Sequence, residues 1–162
     1  LELSHKEFVE ILPKKGFLVK DLTDKEVSDI YGFRLALEKD VILHVIEKAR
    51  KKDLVFLESL LNKLVDCKDV KTFLEIDILF HRSLAQLTDN DQIINALGGI
   101  WDLCIWVGFR ALSNQYGLIG VLDEHFALLD SLKKKDPAGA LDAIEAHINN
   151  SLKKILGTYR YK

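Results

Sequence analysis

Residues 75–90 have the sequence EIDILFHRSLAQLTDN, and this stretch decides the fold class. Its apolar side chains recur at offsets of three and four residues, which is typical of one face of an α-helix. Asp77 and His81 lie on the same face, about one turn apart, together with Phe80 and Leu84. An unpaired charge in a protein interior is strongly unfavourable, so some group should satisfy this aspartate and histidine. The stretch therefore predicts a helix that can hold a cation inside the protein.

The same periodicity predicts helices along the whole chain after Asp21. Thr23 and Glu26 form a capping box at the start of the first helix, and Asp136-Pro137 is a favoured start for the last. Because short connections force neighbouring helices to pack side by side, we expect an all-α fold, an antiparallel bundle of about six helices. The glycine pair Gly98-Gly99 predicts a bend or a close approach in the fourth helix. The predicted ranges are about 24–50, 53–64, 69–88, 91–113, 117–134 and 136 onward.

A different pattern precedes the helices. Residues 8–19, FVEILPKKGFLV, contain two short apolar runs on either side of a Pro/Gly turn, which predicts a β-hairpin. Lys14 and Lys15 lie in that turn. They are candidates for contact with DNA phosphates or the minor groove, and an ordinary solvated turn is an equally good interpretation.

Composition limits the class of protein. The chain has 162 residues, 48% hydrophobic and 30% charged, which is enough for one well-buried core. No run of about 18 uninterrupted apolar residues and no basic-then-apolar leader occurs, so we expect a cytoplasmic protein without a membrane partner. The net charge of −2 predicts no general attraction to a polyanion. The chain begins at Leu1 and contains no Met, so we expect it to be a piece of a longer protein.

The two cysteines, Cys67 and Cys104, lack the C-x-x-C spacing of a thiolate zinc site. A disulfide framework is not indicated either, and we expect both residues to pack in the fold.

Three of the five histidines face the predicted interior from three different helices. His125 lies in an apolar stripe of the fifth helix, and His147 lies at the edge of a stripe on the sixth. With Asp77 and His81 they offer three imidazoles and one carboxylate. Such a set suits Zn²⁺ or Ni²⁺ best, with manganese or iron as further candidates, and suits Ca²⁺ or Mg²⁺ poorly. The alternative is that each histidine is a hydrogen-bonded core residue.

Arg34 is a second unusual residue, because it lies in the apolar stripe of the first helix between Ile30 and Leu37. Arginine is seldom buried without an anionic partner. One interpretation is an intrahelical pair with Glu38, one turn later. The other is that the guanidinium points into the metal cavity and binds a carboxylate in bidentate fashion.

Four segments together resemble a known family, the FCD domain of GntR-type transcription regulators. Residues 31–49, YGFRLALEKDVILHVIEKA, are similar to the signature of that domain's first helix. Residues 75–90 are similar to its aspartate and Phe-His segment, and residues 122–148 are similar to its closing segment. The hairpin at 8–19 resembles the wing that ends the family's winged-helix DNA-binding domain. The predicted helix count matches the branch of the family with six helices.

The resemblance implies a division into two parts: residues 1–20 as the remnant of a winged-helix domain and residues 21–162 as an FCD-like domain. It implies that a metal is bound by Asp77, His81, His125 and His147. It also implies that Arg34 helps to recognise a small organic acid that coordinates the same metal, and that the domain forms a homodimer. The helix-turn-helix expected upstream is absent from this sequence, so the chain alone is not expected to bind an operator specifically.

These features favour a ligand-responsive bacterial transcription regulator and not an enzyme. An effector that binds one dimer arrangement more tightly would change the spacing of the two DNA-binding wings. The main alternative is a helical metalloenzyme, since an open site with three histidines and one aspartate could activate water. No H-E-x-x-H motif is present, and the one nearby candidate base, Glu124, points about 100° away from His125. A third interpretation is an interaction domain whose histidines only pack.

Overall fold

The computed structural model describes residues 9–12, 16–19, 22–111 and 120–159. They form a two-stranded hairpin followed by six helices, which confirms the predicted all-α bundle. The strands are β1 (Val9–Leu12) and β2 (Gly16–Val19), and the helices are α1 (Asp24–Lys48), α2 (Lys51–Leu64), α3 (Val70–Gln86), α4 (Asp91–Ala111), α5 (Val121–Lys134) and α6 (Pro137–Tyr159).

The predicted hairpin is present. β1 and β2 are antiparallel, with Val9 opposite Val19 and Leu12 opposite Gly16. The turn residues Lys14 and Lys15 lie outside the described residues. The origin of the hairpin as a wing, and the domain boundary after residue 20, stay predictions.

Side-chain caps determine where the helices begin. Thr23 Oγ1 accepts a hydrogen bond from the Glu26 amide at 3.2 Å, and Glu26 Oε2 accepts one from the Thr23 amide at 2.7 Å. This is the predicted capping box of α1. The Asp69 carboxylate accepts the Thr72 amide at 2.8 Å and so caps α3. Both caps satisfy amides that have no partner within their helix.

Helix α5 begins later than the sequence predicts. Gly120 has a φ of +84°, which lies outside the helical region, and α5 therefore starts at Val121 instead of near residue 117. At its other end, Lys135 has a φ of +54° and closes the helix. Asp136 then accepts the Gly139 amide at 3.0 Å, and Pro137 is the first residue of α6. Since two residues join α5 to α6, the two helices pack against each other along their length.

The sequence predicts a bend or a close approach at the glycine pair Gly98-Gly99 of α4. A Cβ on Gly98 would meet nothing within 4 Å, so no close approach involves that residue, and the bend stays a prediction. At Gly108, a Cβ would lie 3.1 Å from Cδ2 of Leu74. Glycine at 108 therefore lets α3 and α4 pack closely, and one wall of the cavity described below lies there.

By length and composition, the segment Asp91–Phe109 of α4 could cross a membrane, and 33% of it is buried in the fold. One such helix is weak evidence for a membrane span, since core helices of globular proteins meet the same criterion. Asp102 on this helix pairs with Arg82 of α3 at 2.6 Å.

The core lies where α1, α3, α5 and α6 meet. Apolar residues from all six helices fill it, and α1 packs along α6 while α3 packs between α2 and α4. A small group of polar side chains is buried within this apolar surround: Arg34, Glu38, Asp77, His81, His125 and His147. Because buried charges need partners, these six residues define the region that demands a chemical explanation.

Candidate metal centre

The structure brings the four predicted metal ligands together. Asp77 and His81 come from α3, His125 from α5 and His147 from α6, and all four are buried. One ligand atom from each lies within 4.8 Å of the others. His81 Nε2 is 3.2 Å from Nε2 of both His125 and His147, and Asp77 Oδ1 is 3.2 Å from His125 Nε2. Three helices therefore direct four donor atoms at one point.

The outer nitrogens of the three imidazoles determine which tautomer each ring adopts. His125 Nδ1 lies 2.8 Å from the Val121 carbonyl oxygen, which can only accept, so this nitrogen carries the proton. His81 Nδ1 donates to Glu38 at 2.6 Å, and His147 Nδ1 donates to Glu124 at 3.0 Å. A neutral imidazole has a single N–H, so a neutral ring with its proton on Nδ1 presents the lone pair of Nε2 to the centre of the cluster. This is the tautomer in which histidines bind metals.

The donor atoms fit a divalent transition metal. Nε2 of His81 lies only 3.2 Å from Nε2 of both His125 and His147, and Asp77 Oδ1 has no hydrogen-bond donor among the described residues. A cation at the centre would satisfy all four groups. Two nitrogens bound tetrahedrally at the ~2.0–2.1 Å typical of zinc lie roughly 3.3–3.4 Å apart, close to the observed spacing. Three nitrogens and one oxygen also suit a borderline metal far better than Ca²⁺, which prefers six to eight oxygens.

The protonation states agree with this chemistry. Burial lowers the pKa of His125 to about 4, against the opposing effect of the Asp77 carboxylate. Burial, together with His125 and His81, lowers the pKa of His147 well below its ordinary value. For Asp77, burial alone would raise the pKa, but the three surrounding imidazoles hold it below its usual value. At neutral pH, two of the imidazoles are therefore neutral and the carboxylate is ionised, as metal binding requires.

Glu38 has a role that the sequence did not reveal. Its Oε1 accepts hydrogen bonds from Arg34 Nε at 2.7 Å and from Trp101 Nε1 at 3.2 Å, and its Oε2 accepts the one from His81. Burial would raise the pKa of Glu38, but Arg34 and His81 lower it far below its ordinary value. The predicted pair with Arg34 is present, and the same carboxylate also orients a candidate metal ligand. The only sequence signal was the acidic residue one turn after a buried arginine.

Glu124 orients a second candidate ligand, His147. Its Oε2 accepts from His147, and its Oε1 accepts from Asn150 Nδ2 at 2.9 Å. It therefore lies behind the His147 ring and contacts the nitrogen that faces away from the ligand atoms. As a general base acting on a metal-bound water, Glu124 is badly placed, and this weakens the metalloenzyme alternative.

Arg34 forms the predicted intrahelical pair with Glu38 and also lines a cavity, and its binding of a carboxylate stays a prediction. It is 2% exposed, its Nε pairs with Glu38, and its Nη2 is buried without a hydrogen-bond partner among the described residues. Burial by itself would lower the pKa of Arg34, but Glu38, with smaller contributions from Cys104, Tyr31 and Asp77, raises it above its ordinary value. The guanidinium carbon also lies 5.8 Å from the centre of the Tyr31 ring, within the range of a cation–π contact. One edge of the guanidinium is thus anchored, and one charged donor remains unused.

Arg34 and Asp77 line the same cavity, which opens between α1, α3, α4, α5 and α6. Its atom-free space, mouth included, is about 470 Å³, and its walls are mostly apolar. Polar groups from Tyr31, Cys104, Ser151 and Lys154 also line it. Burial raises the pKa of Cys104, so its thiol stays protonated. The cavity therefore holds two charged atoms without hydrogen-bond partners, one positive and one negative, at the edge of the histidine cluster.

Known proteins resemble this chain in sequence and in fold. The HTH-type transcriptional regulator YdhC of Bacillus subtilis is 26% identical over 141 residues, covering 85% of this chain and 63% of that protein. The gluconate operon transcriptional repressor of the same bacterium is 24% identical over 163 aligned positions, covering 96% of this chain and 67% of that protein. The chain thus spans about two thirds of the length of these relatives. Both are named as transcription regulators, which supports a regulatory role over an enzymatic one.

A solved structure has the same fold. The Escherichia coli protein McbR/YncC aligns with a TM-score of 0.84 at 19% identity, covering 99% of this chain and 81% of that one. The FCD domain family matches residues 29–150, which include all four candidate ligands and Arg34. The chain therefore belongs to the FCD domain family of GntR-type transcription regulators.

Proposed function

We propose that this chain is the sensor part of a ligand-responsive bacterial transcription regulator, in which a small organic acid binds beside a metal. One observation carries the proposal. Arg34 Nη2 and Asp77 Oδ1 are both buried without a hydrogen-bond partner among the described residues, and both side chains line one cavity beside three converging imidazoles. A buried cationic donor without a partner costs free energy, and an anion entering the cavity would remove that cost.

Asp77, His81, His125 and His147 would hold the metal, with zinc or nickel favoured and manganese or iron as further candidates. When bound, a divalent ion of this class supplies coordination positions that an effector carboxylate can fill. The chain's own contribution is orientation. Glu38, Glu124 and the Val121 carbonyl hold the three rings in their metal-binding tautomers before any ion arrives.

Arg34 would recognise the acid. A guanidinium offers donors in a rigid fork that matches a carboxylate, and Nη2 is free for this purpose. Glu38 restrains the arginine through Nε, so little side-chain entropy remains to be lost on binding. An acid in this cavity would contact α1 through Arg34 and α6 through Ser151. Its binding would therefore favour one relative position of these helices over others.

A shift of this kind would change DNA binding through the dimer. We propose a cytoplasmic homodimer in which the hairpin at 9–19 belongs to a winged-helix domain and Lys14 and Lys15 contact DNA. Large apolar side chains exposed on α1 and α4 support pairing with a second copy: Phe33 is 50% exposed and Phe109 is 56% exposed. An effector that binds one dimer arrangement more tightly would change the fraction of dimers able to reach two half-sites.

The test uses the untagged chain, purified without chelator. We expect stoichiometric zinc, nickel, manganese or iron by elemental analysis. We also expect one acid in a panel that includes gluconate, lactate, citrate and acetate to raise the melting temperature, and to do so only in the metal-loaded protein. Protein without bound metal that also fails to take up added Zn²⁺ would contradict the metal site. Conversion of an acid to a product during incubation would favour the metalloenzyme instead.

A further inference from the structure

Glu38 is hydrogen-bonded to both halves of the proposed site. Its Oε2 is 2.6 Å from Nδ1 of the metal ligand His81, and its Oε1 is 2.7 Å from Nε of Arg34. We infer that Glu38 is a positioning residue that couples the two halves: it sets the metal-binding tautomer of His81 and keeps Arg34 away from Asp77. This inference rests on the proposed function, because it concerns how the same site is organised.

The first half of the argument concerns His81. Among the described residues, Glu38 is the hydrogen-bond partner of His81 Nδ1. The other ring nitrogen, Nε2, faces the imidazoles of His125 and His147. An acceptor at Nδ1 places the proton there and leaves the lone pair on Nε2. A donor at the same place would reverse the tautomer. The proton would then point from Nε2 into the metal position, and His81 could not be a ligand.

The second half concerns Arg34. Among the described residues that line the cavity, Asp77 is the only carboxylate, and its charge acts on the Arg34 guanidinium. Without Glu38, the buried cation would have Asp77 as its nearest source of negative charge. A pair between Arg34 and Asp77 would occupy the carboxylate oxygen that the metal needs. Glu38 therefore keeps both the arginine donor and the aspartate acceptor available.

Glutamine cannot replace this carboxylate. Glu38 accepts three hydrogen bonds, from Arg34, Trp101 and His81, through two oxygens. The side chain of glutamine has one oxygen and one NH₂ group. If the NH₂ faces His81, the tautomer reverses. If the NH₂ group faces Arg34 and Trp101, it is a donor opposite two other donors and accepts no hydrogen bond from either. Arg34 is then free to move toward Asp77.

Glu124 provides a matched control. It is also a carboxylate behind a metal ligand, and it also accepts two hydrogen bonds, from His147 and Asn150. No hydrogen bond or ion pair of the described residues joins it to Arg34. Glu124→Gln should therefore impair the metal site through its own histidine, with no involvement of the arginine.

The experiment measures Zn²⁺ affinity of the full chain by competition with a chromophoric chelator at pH 7.5. We expect Glu38→Gln and Glu124→Gln each to weaken Zn²⁺ binding by about 10–100-fold, the usual cost of losing such a partner. Adding Arg34→Leu to Glu38→Gln should raise the Zn²⁺ affinity at least fivefold above that of Glu38→Gln alone. In the Glu124→Gln background it should give no such gain. Nitrogen NMR of the metal-free protein should show His81 protonated at Nδ1, and Glu38→Gln should change that signal.

Two results would overturn the inference. One is a Glu38→Gln protein that binds Zn²⁺ within twofold of the wild type. The other is an equal gain from Arg34→Leu in all backgrounds, which would mean that the arginine only repels the cation. If Glu38→Gln does not fold, we compare two other variants: the double variant Arg34→Leu/Glu38→Gln, which removes both charges, and Arg34→Leu alone. Equal Zn²⁺ affinities of these two proteins would then refute the role of Glu38 in setting the tautomer of His81. If the wild type binds no Zn²⁺, the proposed function fails, while the NMR signal of His81 still tests Glu38.

Discussion

The Nη2 donor of Arg34, which has no hydrogen-bond partner among the described residues, can be removed while a positive charge is kept at position 34. Arg34→Lys keeps a cation beside Glu38 and Asp77 but replaces a five-donor fork by a single ammonium. In the wild type, Nε is bound to Glu38 at 2.7 Å while Nη2 has no partner. A lysine Nζ cannot reach the glutamate and at the same time extend to a second anion in the cavity. We therefore expect the variant to keep the ion pair and to lose the contact with the acid.

The magnitude follows from the contact that is lost. A hydrogen bond to a charged group contributes about 1.5–3 kcal/mol, which corresponds to roughly 10–150-fold in the dissociation constant. The affinity for Zn²⁺ should change by less than about threefold, because the four ligands are untouched. The assay is calorimetric titration of the Zn²⁺-loaded protein with the acid that stabilises the wild type most. Arg50→Lys, at an exposed arginine paired with Asp53, is the matched control and should leave both affinities unchanged.

Unchanged acid affinity in Arg34→Lys would refute the assignment of the guanidinium to the effector. Loss of Zn²⁺ binding instead would show that Arg34 supports the metal site rather than the acid. Either outcome can be distinguished from misfolding, because circular dichroism and the melting temperature report on the bundle independently.

Three further predictions concern the metal centre. Zn²⁺ at a hundred times its dissociation constant should raise the free energy of unfolding by about 2.7 kcal/mol, measured by calorimetry. A chelator should reverse this stabilisation. An unchanged melting curve would mean that the folded state binds no ion. Asp77→Asn, which is close in size but uncharged, should weaken Zn²⁺ binding at least tenfold in chelator competition while leaving the helical content unchanged, and equal affinity would exclude Asp77 as a ligand. In the metal-free protein, the pKa values of His125 and His147 are lower in the folded state than in the unfolded chain. The unfolded chain therefore binds more protons below about pH 6.5. The free energy of unfolding, measured with urea, should fall as the pH falls from about 6.5 toward 4. A flat profile across that window would show that the two rings are solvated.

Much of the fold could be predicted because its determinants are local. The capping box at Thr23, the cap at Asp69 and the Asp136-Pro137 start all involve residues within three positions of one another, and each is present. The start of α5 was predicted too early, since a hydrophobic pattern does not record the positive φ of Gly120. The close contact of Gly108 with Leu74 could not be predicted, because only the packing of α3 against α4 decides that this glycine needs its missing Cβ.

The candidate ligands could also be identified from the sequence, because helical spacing shows which polar residues share a buried face. The partners behind them could not. Glu38 and His81 are 43 residues apart, and Glu124 and His147 are 23 residues apart. No periodicity along the chain relates residues on different helices, and the direction in which a carboxylate extends depends on what packs around it.

The amino-acid sequence by itself determined that the protein is a helical bundle and that three histidines, an aspartate and an arginine are turned inward. Those properties depend on the 3.6-residue repeat of a single helix, which acts over a few neighbouring residues. Only the tertiary structure decided that the donor atoms meet at one point, that each ring holds its proton on the outer nitrogen, and that Arg34 keeps one donor unused. Such distances and protonation states depend on the relative positions of helices that are far apart in the chain, and the packing of the whole core sets those positions.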